Sequence, residues 1–89
     1  MAMTESDAVL YRVMLLNDDE TSMEFVVHVL EDIFGLDSKE SVRRMLRIHK
    51  DGIGTCGSYP KAEAERKIAD VAALARERKF PLQCVMERL

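Results

Sequence analysis

Two cysteines, Cys56 and Cys84, are the only ones in 89 residues. They are too few for a disulfide framework and stand in no metal-ligand spacing, so a reducing, cytosolic home is the simplest reading. No apolar run approaches the ~20 residues that cross a bilayer, which argues against a membrane partner. The N-terminus has neither an apolar signal core nor an Arg-rich amphipathic stretch, so nothing in it directs secretion or organelle import. Basic charge is also short: 13 Lys and Arg against 16 Asp and Glu leave −3, which argues against a general nucleic-acid binder. The length allows one small domain and effectively excludes large catalytic clefts and dinucleotide folds.

What is present suits a soluble globular protein, with 47% hydrophobic and 33% charged residues. The charge is divided along the chain. Residues 1–37 hold nine acids and one base, whereas 38–89 hold seven acids and twelve bases. Residues 1–10 read as a short flexible polar tail, and 11–89 as one domain.

Tyr11 to Leu16 is a dense apolar run ended by Asn17, Asp18 and Asp19, and predicts a buried strand. Thr21 with Glu24 three residues on is a capping-box pair, predicting a helix from there to about Phe34, with Gly35 as its stop. Asp37 with Glu40 is a second such pair, opening a helix over about 38–50 whose apolar repeat is Val42, Met45, Leu46 and His49. Its other side carries Arg43, Arg44, Arg47 and Lys50. Gly54 and Gly57 make Ile53–Tyr59 a strand with a bulge or a close packing contact. Pro60 suits a first helical position, and Ala64, Ile68, Val71, Ala72 and Ala75 mark a third helix ending near Arg78. After Pro81, Leu82 to Glu87 alternates as a last strand. The order strand-helix-helix-strand-helix-strand predicts an α+β fold, a three-stranded sheet with helices on one face.

Residues 17–20 gather three carboxylates and an amide between strand and helix. Turn formation and capping explain such a cluster more readily than a site does on composition alone. A calcium or magnesium loop would need a glycine for its sharp turn, and none is there. His49, on the apolar repeat of its helix, is read as core-facing and in need of a partner for its ring nitrogens. His28, on a polar stripe, is read as solvated. Met23, Val26, Met45 and Ile48 form either core or an adaptable apolar pocket. No nucleophile motif accompanies His49, which disfavours an enzyme. The arginine stripe has no interleaved aromatics and reads as a solvated face.

Several ordered motifs then match a known family: Tyr-Arg-Val-Met-Leu-Leu-Asn-Asp-Asp (11–19), Thr-Ser-Met-Glu-Phe-Val (21–26), Met-Leu-Arg-Ile-His (45–49), Cys-Gly (56–57), Ala-Glu-Arg-Lys (64–67) and Pro-Leu-Gln-Cys (81–84). Over residues 11–88 the chain resembles the ClpS family, bacterial cytoplasmic adaptors that carry N-end-rule substrates to the ClpA/ClpP protease. The resemblance implies three antiparallel strands with three helices, no enzyme activity and no cofactor. It implies that Asn17, Asp18 and His49 hold the free α-amino group of an N-degron beginning with Leu, Phe, Tyr or Trp. The first side chain would enter a pocket lined by Thr21, Met23, Val26, Met45, Ile48 and Leu82, with Met23 gating against β-branched residues. Lys67 and Glu65 would dock on the N-terminal domain of ClpA, and the free protein would be a monomer. Glu20 and Ser22 stand where the family commonly has Tyr and Pro, and Ala62 replaces an acidic docking residue. The alternatives are a small metal-dependent or acid/base enzyme using Asp18, Asp19 and His49, or a generic protein-interaction domain.

Overall fold

A computed structural model describes residues 9–89. Residues 1–8 of the expected tail lie outside the described residues. The elements are β1 (Tyr11–Leu16), α1 (Met23–Asp32), α2 (Ser38–Asp51), β2 (Ile53–Tyr59), α3 (Lys61–Arg78) and β3 (Gln83–Arg88). The sheet order is β2-β1-β3 with both pairs antiparallel, the architecture the sequence predicts.

β1 is central because it is the strand with the densest apolar content, and Val13 and Leu15 on its inner face are fully buried. All three helices share their core: Val29 and Leu30 from α1, Met45 and Ile48 from α2, Ala64, Val71 and Ala75 from α3. The expected irregularity of β2 is real. Val13 pairs with Gly57 and Met14 with Thr55, so Cys56 is the extra residue of a bulge. At Gly54 an added Cβ would come within 2.5 Å of Ile48 Cγ1, so only glycine lets α2 lie this close to β2.

Element ends differ from expectation for local reasons. The N-cap of α1 is Ser22, whose Oγ accepts from the Phe25 amide at 3.1 Å, and not Thr21, whose hydroxyl is used elsewhere. The helix stops at Asp32, with Ile33 as its cap and Gly35 at φ +69° just beyond. Asp37 caps α2 as predicted, its Oδ1 accepting from the Glu40 amide. Pro60 is the cap of α3, with Lys61 its first residue, and Lys79 at φ 62° ends that helix before Pro81 can.

The burial phase of α2 also departs from the reading. Ser41, Met45 and Ile48 face the core, whereas Val42 and Leu46 are exposed at 42% and 52%, and His49 is exposed as well. The Ser41 hydroxyl donates to the Leu36 carbonyl at 3.4 Å, which allows a serine to occupy the innermost row. Arg44 is no free surface charge: it donates to Glu40 at 2.6 Å and to the Thr55 carbonyl at 2.6 Å, binding α2 to the edge of the sheet.

Candidate functional site

The loop after β1 is built by Asp18. Its Oδ1 accepts from the amides of Glu20 and Thr21 at 2.8 and 2.6 Å, and its Oδ2 accepts from the Thr21 hydroxyl at 2.7 Å. Burial alone would push this carboxyl up. The bonds from the Thr21 amide and hydroxyl and the Glu20 amide outweigh it and hold it below its ordinary value. A carboxylate offers about four acceptor positions, so three donors leave about one, on Oδ2.

A second tie brings the loop to α2. The Asn17 amide donates to the carbonyl of Gly52 at 2.9 Å, the residue that closes α2 in a left-handed conformation at φ +87°. His49 lies one turn before that cap. A residue with a Cβ would be strained at position 52, so glycine there is what lets β1 and α2 end side by side.

Between loop, α1 and α2 lies a cavity of about 230 Å³ lined by Asn17, Asp18, Asp19, Thr21, Met23, Val26, Met45, Ile48 and His49. The spacing explains the convergence: Met23 and Val26 are one turn apart on α1, and Met45, Ile48 and His49 follow i, i+3, i+4 on α2. Val26, Met45 and Ile48 are buried and form an apolar floor, while Met23 is 45% exposed and stands at the lip. Asn17, Asp18, Asp19 and His49 supply acceptors, two of them charged. His49 therefore serves the cavity from a rim position, correcting its reading as a core-facing side chain; it is exposed, as are Val42 and Leu46 of the same repeat. Asp19, expected as part of the acidic run and of the acid/base alternative, also lines the cavity.

One residue expected in the pocket lies elsewhere. Leu82 is 5% exposed within the core and is not in the lining of this cavity. Glu65 is exposed on α3 and is in the lining of neither this cavity nor the groove described next. That groove, larger at about 870 Å³, runs between the end of α1 and α3, and Lys67 lines it together with Asp32, Ile33, Glu63, Arg66 and Asp70. The Lys67 amine donates to the Ile33 carbonyl at 2.7 Å and sits 5.4 Å from the Tyr59 ring and 5.9 Å from that of Phe34. No signal local to Lys67 could have announced this aromatic seat, since Phe34 and Tyr59 come from distant segments. A third hollow of about 410 Å³ beside β2 holds Arg43, Arg44 and Arg47 with Glu40 and Asp51, so its charges largely answer one another. Among the described residues, no three His, Cys, Asp or Glu side chains gather as a metal site, and no helix is long and apolar enough to cross a membrane.

The chain as a whole is similar to known proteins. The family model described as ATP-dependent Clp protease adaptor protein ClpS matches residues 6–85. The ClpS adapter of Aromatoleum aromaticum is 50% identical over 78 residues, covering 88% of this chain and 76% of that protein. That of Hyphomonas neptunium is 53% identical over 79 residues, covering 89% and 67%. Among solved structures, Agrobacterium tumefaciens ClpS2 bound to L-phenylalaninamide matches with a TM-score of 0.87 at 36% identity, over 90% of this chain and 96% of that one.

Proposed function

Because the chain belongs to the ClpS family of ATP-dependent Clp protease adaptors, we propose that its 230 Å³ cavity seats the first residue of an N-degron, with Leu, Phe, Tyr or Trp as that residue. One observation carries the reading: acceptors and an apolar floor share a single small cavity. A free α-ammonium has three donors and no acceptor, so leaving water requires about three acceptors. The Asn17 amide oxygen, the remaining position on Asp18 Oδ2 and a neutral imidazole nitrogen of His49 supply three. Asp18 also compensates the charge. An internal peptide offers a neutral amide with one donor and leaves the other acceptors unpaired.

The side chain would then enter over Val26, Met45 and Ile48, with Met23 at the lip turning away β-branched residues. L-phenylalaninamide, named with Agrobacterium ClpS2, has the same two parts, a free α-amino group and an aromatic side chain. Burying a Leu or Phe side chain contributes about 1.5–3 kcal/mol and each charge-assisted hydrogen bond about as much. Subtracting at least ~4 kcal/mol for association leaves about 8 kcal/mol at the upper end, which sets micromolar as the tightest affinity expected. Binding of that strength permits release.

The same geometry disfavours acid/base chemistry. A carboxylate already holding three donors, with its pKa lowered, is a weak base. Cargo would pass to the N-terminal domain of ClpA for degradation by ClpP in the bacterial cytoplasm, with Lys67 and Glu65 on the docking side. The Lys67 ammonium keeps two of its three donors for that purpose after serving Ile33.

Fluorescence anisotropy with peptides differing only at the first residue tests the reading. Leu- and Phe-first peptides with free amines should bind at about micromolar concentration and their N-acetylated forms far more weakly. Equal binding of the acetylated forms would refute it.

A further inference from the structure

The described residues contain six sulfur side chains, and they are not equally available. Cys56 is buried at the bulge of β2, and burial pushes its thiol well above the ordinary value. Burial raises Cys84 as well, to about 12. Oxidants attack the thiolate, so neither cysteine is a ready target. A thioether needs no ionisation. Met45 is buried, Met14 and Met86 are partly covered on the strands, and Met23 alone among the described methionines is exposed. It is also the sulfur at the lip of the 230 Å³ cavity.

We propose that Met23 is an oxidation site at which a peroxide or hypohalous acid lowers the affinity of the cavity for apolar first residues. The inference rests on the N-degron reading above. With hydrogen peroxide the thioether sulfur takes one oxygen: the O–O bond breaks, an S–O bond forms and water leaves. The sulfur is oxidised by two electrons and the peroxide reduced by two. The product replaces a flexible apolar rim group by a polar, chiral one.

A sulfoxide oxygen at the lip accepts hydrogen bonds but does not donate. The adjacent donors of Thr21, its amide and its hydroxyl, are already given to Asp18. When a Leu or Phe side chain covers the lip, that oxygen must shed water with no replacement from Thr21. If it keeps its water, the ligand side chain is left partly wet. Either outcome costs binding, by about tenfold for one polar group desolvated without a partner. The amine-holding groups Asn17, Asp18 and His49 are chemically unchanged. The oxidised protein should therefore lose affinity for the side chain while keeping its preference for a free amine over an acetylated one.

The experiment treats the full chain with graded hydrogen peroxide, maps sulfoxides by mass spectrometry, and measures affinity for a Phe-first peptide before and after. Met23 should oxidise ahead of Met14, Met45 and Met86, with affinity falling about tenfold in step. Treatment with both methionine sulfoxide reductases, one for each epimer, should restore it. Each variant is compared with its own untreated state. Met14→Leu should retain the tenfold loss and Met23→Leu should show a ratio near one. Prior oxidation of Met14, Met45 or Met86, or unchanged affinity with Met23 fully converted, overturns the proposal. If the untreated protein does not distinguish free from acetylated amines, the N-degron reading fails and takes this one with it.

Discussion

The groove beside Lys67 and the cavity beside Asp18 share α1 and differ in kind. The larger, at about 870 Å³, is the more open and is lined by six charged side chains, Asp32, Glu63, Arg66, Lys67, Asp70 and Glu77. The smaller, at about 230 Å³, holds few charges but places them opposite a buried apolar floor. Volume is therefore a poor guide to selectivity. A small ligand is chosen by what must be desolvated together, and only the smaller hollow can desolvate an ammonium and a hydrocarbon side chain at once. The larger suits a broad, wet contact with another protein.

That contrast can be broken most severely at Asp18. Asp18→Ala removes the compensating charge and three loop hydrogen bonds, so peptide affinity should drop at least about thirtyfold in an anisotropy titration. Glu63→Ala, the same truncation in the groove, should change it less than twofold; a comparable loss would erase the distinction. Removing a neutral acceptor is gentler: His49→Ala should weaken binding about threefold to tenfold, and because His49 is exposed the melting temperature should hardly move. Lys67→Met keeps the stem but gives up the bond to Ile33 and the charge near two rings. It should cost about 1 kcal/mol in chemical denaturation while peptide affinity stays within about twofold. Weaker peptide binding in that variant would mean that α1 transmits strain between the hollows.

The smallest effect is a pH dependence. Asp18 titrates below its ordinary value of 3.8 in the folded chain, so ionisation favours folding. Its contribution is fully present above 3.8 and is lost as pH falls through the lower folded value. Between pH 5 and 2 the parent's melting temperature should thus decline more than that of Asp18→Asn. Parallel curves would remove Asp18 from the loop's support.

Much of this was legible because it is local. The Asn-Asp-Asp run after an apolar strand, the Asp37 cap and the glycines of β2 each act over a few residues, and each does so here as their chemistry suggests. The errors arose where a distant group decided. Thr21 looks like a cap until Asp18 takes its hydroxyl, and Ser22 then caps the helix. Periodicity places Met45 in the core correctly but also takes Val42 and Leu46 for core, because a serine lies in the innermost row and hydrophobicity cannot announce it. His49 went astray with Val42 and Leu46 and is found at the rim. The aromatic seat of Lys67 joins α3 to the end of α1 and to β2, a coincidence visible only once the chain is folded.

The contact between Gly54 and Ile48 has a mechanical consequence. Ile48 forms part of the cavity floor, and behind it stands a residue with no side chain. Gly54 acts as the thinnest possible shim between helix and sheet. A single methyl group inserted there, at a residue outside the cavity's lining, must displace Ile48 and make the seat in front of it shallower.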